Sequence, residues 1–173
     1  MNKFKNSRIG LAGLLGVAAL LASSHLTQAQ SRPDDNCKNI DGDIFGQLIG
    51  PTALCGGALT EIGTFTDNEG NILGTFLACA TGFQQSGNGA LKFQLMHTYT
   101  TTAGDTFTTT DNIVAPPIDP PLYGVNNRVD ITGGTGAFQD AFGFIRTHGT
   151  VLFTTPVTGI VSVEYHARIC TPE

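Results

Sequence analysis

Beyond residue 43 the chain is a succession of short runs in which apolar and polar positions alternate, broken every 10 to 15 residues by Gly, Asp, Asn or Pro. The clearest run covers residues 90–100, where Leu91, Phe93, Leu95, His97 and Tyr99 share one parity and Lys92, Gln94, Met96 and Thr98 the other. A side-chain period of two is that of a strand with one face against a core. No segment beyond residue 43 sustains the 3.6-residue period of a helix. The same reading predicts strands near residues 44–49 and over 58–66, 71–81, 106–114, 123–132, 142–154 and 159–170.

The breaks fit this reading. Asp67-Asn68-Glu69-Gly70 supplies turn formers for a hairpin between the second and third strands. Residues 115–122 carry four prolines; lacking backbone N–H donors, they predict an extended surface connection outside any central ladder. About eight short strands in one domain predict an all-β fold, an antiparallel β-barrel or sandwich. Eight strands close into a barrel just wide enough for side chains or one small ligand.

The N-terminus follows another pattern. Lys3, Lys5 and Arg8 precede the apolar residues 9–22, and Thr27-Gln28-Ala29 ends on a small residue. This is the tripartite form of a signal peptide, residues 1–29, with cleavage near Ala29 and a secreted or periplasmic product. The apolar stretch is shorter than the 20 or so residues of a spanning helix, and no second one follows, so no membrane span is expected after signal removal. Residues 30–56 read as a polar lead-in and first strand, and residues 57–173 as the body of the barrel. Beyond residue 29 the chain keeps 6 Lys+Arg against 14 Asp+Glu, a formal charge of −8 where the whole chain has −5. Such a surface repels nucleic acid and anionic membranes.

Cys37, Cys55, Cys79 and Cys170 all lie in the exported part, and an even count there predicts two disulfides. Their spacings of 18, 24 and 91 residues contain no CxxC, which argues against zinc. Three connectivities are open; the one favoured here joins Cys37 to Cys55 and Cys79 to Cys170.

The segment Ile131-Thr132-Gly133-Gly134-Thr135-Gly136-Ala137-Phe138-Gln139-Asp140-Ala141-Phe142-Gly143 resembles the ITGGTGxFxxAxG signature of the allene oxide cyclase and dirigent barrel-like superfamily, here in a secreted bacterial-type form. The likeness extends to the hairpin around Phe65-Thr66-Asp67 with Gly70 and Gly74, and spans roughly residues 57–170. A phosphate-cradling glycine loop would need a helix directly behind it, whereas Phe144 to His148 alternate as a strand. Gly133, Gly134 and Gly136 are therefore read as a structural turn. The resemblance implies a barrel that holds a small apolar ligand and controls its geometry, as a cofactor-free cyclase or stereochemical guide. It carries over no catalytic residue.

Two places hold candidate chemistry. Arg146, His148 and Thr150 share one parity, as do Ser162, Glu164, His166 and Arg168 on the following strand. Paired as a hairpin, Arg146, His148, Glu164 and His166 form either an acid–base group with an anion-holding guanidinium or a solvated set of cross-strand pairs. The second place is His97, expected buried or at a pocket rim with one hydrogen bond. The alternative to a ligand-binding barrel is an exported module whose barrel is filled by its own side chains and which works through its surface. Cavity volume separates the two. Self-association is expected where strands turn apolar side chains outward.

Overall fold

The computed structural model describes residues 36–172; the predicted signal peptide lies outside them. Nine strands form one antiparallel sheet: β1 (Asn36–Pro51), β2 (Leu59–Thr66), β3 (Ile72–Gln85), β4 (Leu91–Thr101), β5 (Thr106–Ala115), β6 (Pro117–Asp119), β7 (Leu122–Gly134), β8 (Phe142–Thr155) and β9 (Thr158–Thr171). Their order is β5-β4-β3-β2-β1-β9-β8-β7-β6, and β5 also pairs with β7. That pairing, Phe107 opposite Gly134 and Thr110 opposite Asp130, closes eight strands into a barrel and leaves the short β6 on the edge of β7. The closing ladder is short, four residue pairs at the Phe107–Thr110 end of β5.

Alternation survives the closure. Leu91, Phe93, Leu95, His97 and Tyr99 point inward from β4, and Ile145, Val151, Val163, Tyr165 and Ile169 do so from β8 and β9. Asp67 holds the β2–β3 turn, its carboxylate accepting from the backbone N–H of Glu69 and Asn71 and from the Asn71 side chain.

Two expectations are corrected. The cysteines pair as Cys37–Cys170 and Cys55–Cys79. Cys37 and Cys170 stand directly opposite each other in the β1–β9 ladder, whereas Cys55 sits in a short turn (Ala53–Cys55) that folds over Cys79. Barrel register, invisible in the spacings, decides the first, and the fold of the turn after β1 decides the second. Residues 36–43 belong to β1 and not to a lead-in, because their backbone pairs with β9 whatever their polarity. The proline-rich connection stays outside the central ladders, as expected, and adds only the three-residue edge strand β6, where an edge position spares the missing donors.

The glycine signature ends the barrel. Gly133 and Gly136 adopt positive φ, and a side chain on Gly134 would collide with the Thr106 carbonyl and with Phe138. The chain can then fold Phe138 back beside Phe107, 5.2 Å between ring centroids, across one end of the interior.

Candidate functional site in the barrel interior

One strand surveys the whole interior. Along β4, Leu91 and Phe93 line an open hollow of about 790 Å³ at one mouth; Phe93, Leu95, His97 and Tyr99 line a central cavity of about 70 Å³; Tyr99 and Thr101 line an apolar cavity of about 230 Å³ toward the other end. Phe153 shares the mouth and the central cavity with Phe93, its ring stacked on Phe93 at 6.4 Å and 13°. These two rings separate mouth from centre.

The central cavity is lined by aliphatic and aromatic residues and Thr147 except where three charge-bearing side chains enter it: Glu61 from β2, His97 from β4 and Asp111 from β5. All are buried, Glu61 at 6% exposure and the side chains of His97 and Asp111 at 8% and 3%. Register explains the meeting. Glu61, Ala78, His97 and Thr109 lie in one inward rank across four strands. Asp111 is the diagonal neighbour of His97, two residues beyond Thr109. Ala78 between Glu61 and His97 carries only a methyl group, so the two longer side chains lie over it. Gly46 on β1 completes the arrangement, since a Cβ there would run into the Glu61 carboxyl.

His97 Nδ1 lies 2.6 Å from Asp111 Oδ2. The approach is a close ion-pair contact off the line of the ring N–H, so that Nδ1 and Asp111 Oδ1 are both buried without an aligned hydrogen-bond partner. Burial alone would pull the His97 pKa down; contact with Asp111 and the charge of Glu61 outweigh it, and the net direction is upward. Burial pushes Glu61 above the usual carboxylate range, with Asp111 adding to the shift and His97 opposing it. Burial likewise holds the Tyr99 hydroxyl neutral, well above its ordinary value. The cavity thus contains an imidazole biased toward its protonated form beside the Asp111 side chain, next to a carboxyl group biased to keep its proton. Such a set can donate a proton to, or accept one from, an oxygen-bearing apolar molecule.

An aromatic run leads away from this centre. The His97 ring is 5.5 Å from Tyr99, Tyr99 stacks on Phe107 at 4.6 Å, and Phe107 meets Phe138. Tyr165 lines the apolar cavity of about 230 Å³, its hydroxyl donating to the Thr66 carbonyl at 3.0 Å; burial first, then Asp67, Asp41 and Asp43, push its pKa up to about 12.

The β8–β9 candidates lie on the outer face. Three ranks cross β7, β8, β9 and β1: Asn126, His148, Glu164 and Asp43; then Arg128, Arg146, His166 and Asp41; then Asp130, Phe144, Arg168 and Asn39. Arg146, His148, Glu164 and His166 are therefore neighbours, all exposed, and His166 Nδ1 contacts the Asp41 carboxylate. None of the four lines the central cavity. Among the described residues no group of three or more His, Cys, Asp or Glu side chains has the geometry to hold a metal ion.

No protein-family profile matches the chain, and no curated protein matches it. Among solved structures the pterocarpan synthase dirigent protein GePTS1 superposes with a TM-score of 0.51 at 14% identity, covering 90% of this chain and 100% of that one. The fold is that of a dirigent barrel. A second pterocarpan synthase dirigent protein, PsPTS1, aligns with a TM-score of 0.47 at 14% identity over 80% of this chain and 97% of that one.

Glu61 and Asp111 were not singled out as site residues by the sequence. The usable signal is parity: Asp111 shares the parity of Phe107 and Ile113, and Glu61 that of Leu59 and Phe65, so each carboxylate stands on the inward face of its strand.

Proposed function

We propose that the barrel interior receives a small apolar molecule bearing an oxygen, with Glu61 as proton donor and the His97–Asp111 pair as its charged partner. The reading carries forward the expectation of a cofactor-free cyclase or stereochemical guide. The observation that supports it is the burial of Glu61, His97 and Asp111 around one cavity in a core whose other buried polar side chains are the uncharged threonines Thr60, Thr66 and Thr109. Burying such groups is costly unless they are paired, and structural cores seldom contain them. Perturbed pKa values at a cavity are typical of functional sites. GePTS1, by its description a pterocarpan synthase, lends the idea that this fold accommodates chemistry on an apolar compound. The two disulfides and the signal-like N-terminus support an exported protein.

A filled barrel is favoured by one specific observation, the central volume of about 70 Å³, well below the roughly 300 Å³ at which ligand pockets begin. The two readings divide on whether Phe93 and Phe153 part to join the centre to the mouth. Native mass spectrometry of the protein from its own source tests this. A small molecule that leaves with the wild type and is lost from Glu61→Gln supports the ligand site; a bare chain in both, with Phe153→Leu also bare, supports the filled barrel.

A further inference from the structure

On the outer face, Arg128 of β7 and Arg146 of β8 stand directly opposite each other in the ladder. Like charges so placed destabilise a sheet. The cost is concentrated: of the six Lys and Arg residues beyond residue 29, these two gather around a single ring, that of Phe144, whereas Arg168, paired with Phe144 in the ladder, sends its guanidinium the other way to Cys37 Sγ at 3.7 Å. The Arg128 guanidinium carbon is 4.3 Å from the Phe144 centroid and that of Arg146 5.4 Å, while Arg168 pairs with Phe144 from β9. Asp130 reaches Arg128 at only 3.7 Å on an exposed edge, and Asp41 is engaged by His166, so Arg146 and Arg168 have no acidic partner within ion-pair distance among the described residues.

We propose that this cluster is an oxyanion site, in which one phosphate, sulfate or carboxylate group bridges Arg128 and Arg146 over Phe144. Guanidinium groups offer paired donors that match the oxygens of such a group. Stacking on Phe144 fixes the planes of Arg128 and Arg146 before the anion arrives. The occupant is a single small anionic group. The net negative charge of the remaining surface repels a polyanion, and Glu164 and Asp43 in the rank beside that of Arg128 and Arg146 bound the site on that side. The site is independent of the interior one.

The test compares inorganic phosphate and phenyl phosphate with chloride at constant ionic strength, following the Arg Nε–H signals by NMR and the melting temperature. The expected result is saturable shifts at Arg128 and Arg146 and a rise in melting temperature beyond that in chloride. In Arg146→Gln, affinity falls about tenfold or more. In chloride alone, Arg146→Gln melts at the wild-type temperature or up to about 3 °C higher, because the repulsion is gone. Equal response to the two phosphates identifies a free ion, and a stronger response to phenyl phosphate identifies an aromatic monoester; either supports the site. Shifts no larger than in chloride, undiminished phosphate binding by Arg146→Gln, or a lower melting temperature of that variant in chloride would overturn it.

Discussion

At the residue scale, the interior is governed by how Glu61, His97 and Asp111 share protons. Asp111→Asn removes the contact that raises the His97 pKa and leaves burial, which lowers it. Ring-carbon NMR against pH is expected to show His97 titrating above the ordinary histidine value in the wild type and well below the wild-type value in Asp111→Asn; identical curves would contradict the pairing. Stability follows with a definite sign. A group whose pKa is raised by folding binds more protons folded than unfolded, so stability falls as pH rises from its unfolded value toward its folded one. Glu61 and His97 are both raised, the first from 4.5 and the second from 6.5, so the wild type loses stability from mildly acid toward alkaline pH. Glu61→Gln keeps the shape without the charge. Urea unfolding at several pH values should show it more stable than wild type at alkaline pH, by about 1–3 kcal/mol, with a shallower slope. A pH dependence as steep as that of the wild type would mean that Glu61 does not titrate inside the fold.

At the element scale, inward positions on neighbouring strands act as one surface. Gly46 of β1 leaves the space that Glu61 of β2 occupies, so Gly46→Ala forces the carboxyl aside. Overpacking of this kind costs about 1–3 kcal/mol, measurable by urea denaturation. The same variant should lose the upward shift of Glu61, which separates displacement of the carboxyl from general destabilisation.

How much could be read beforehand differs between elements for a physical reason. The β2–β3 and β8–β9 hairpins and the inward face of β4 were legible, since parity and turn residues are local. The meeting of His97 with Asp111 and Glu61 depends on the registers of β2 through β5, and no local pattern encodes those. For Arg128 the missing knowledge was again register, here with β8. The cysteine pairing failed on the same point: Cys37 and Cys170 are 133 residues apart in sequence and direct partners in the ladder.

At the scale of the whole molecule, the two bridges do unequal work. Cys37–Cys170 joins strands near the two ends of the described chain, and in the chain-entropy model a loop of that length stabilises the fold by about 5 kcal/mol, against about 3.5 kcal/mol for the 24-residue loop of Cys55–Cys79. Replacing the first pair by serine should therefore lower stability more than replacing the second, as read by guanidinium unfolding. The reverse order would mean that local packing around Cys55 outweighs loop closure. Apolar side chains also face outward in one region, Phe45, Ile62, Ile160 and Leu152 on β1, β2, β9 and β8. Self-association through this face predicts a mass above the monomer by light scattering and a return to monomer in Ile160→Glu.

The central claim is that the interior opens to a ligand at Glu61. A crystal soaked with a small cyclic ketone tests it most directly. The account predicts the Phe153 ring turned away from Phe93 and the ketone oxygen within hydrogen-bond reach of the Glu61 carboxyl. Ketone confined to the mouth, with Phe93 and Phe153 still stacked and the central cavity unchanged at saturating concentration, would contradict it.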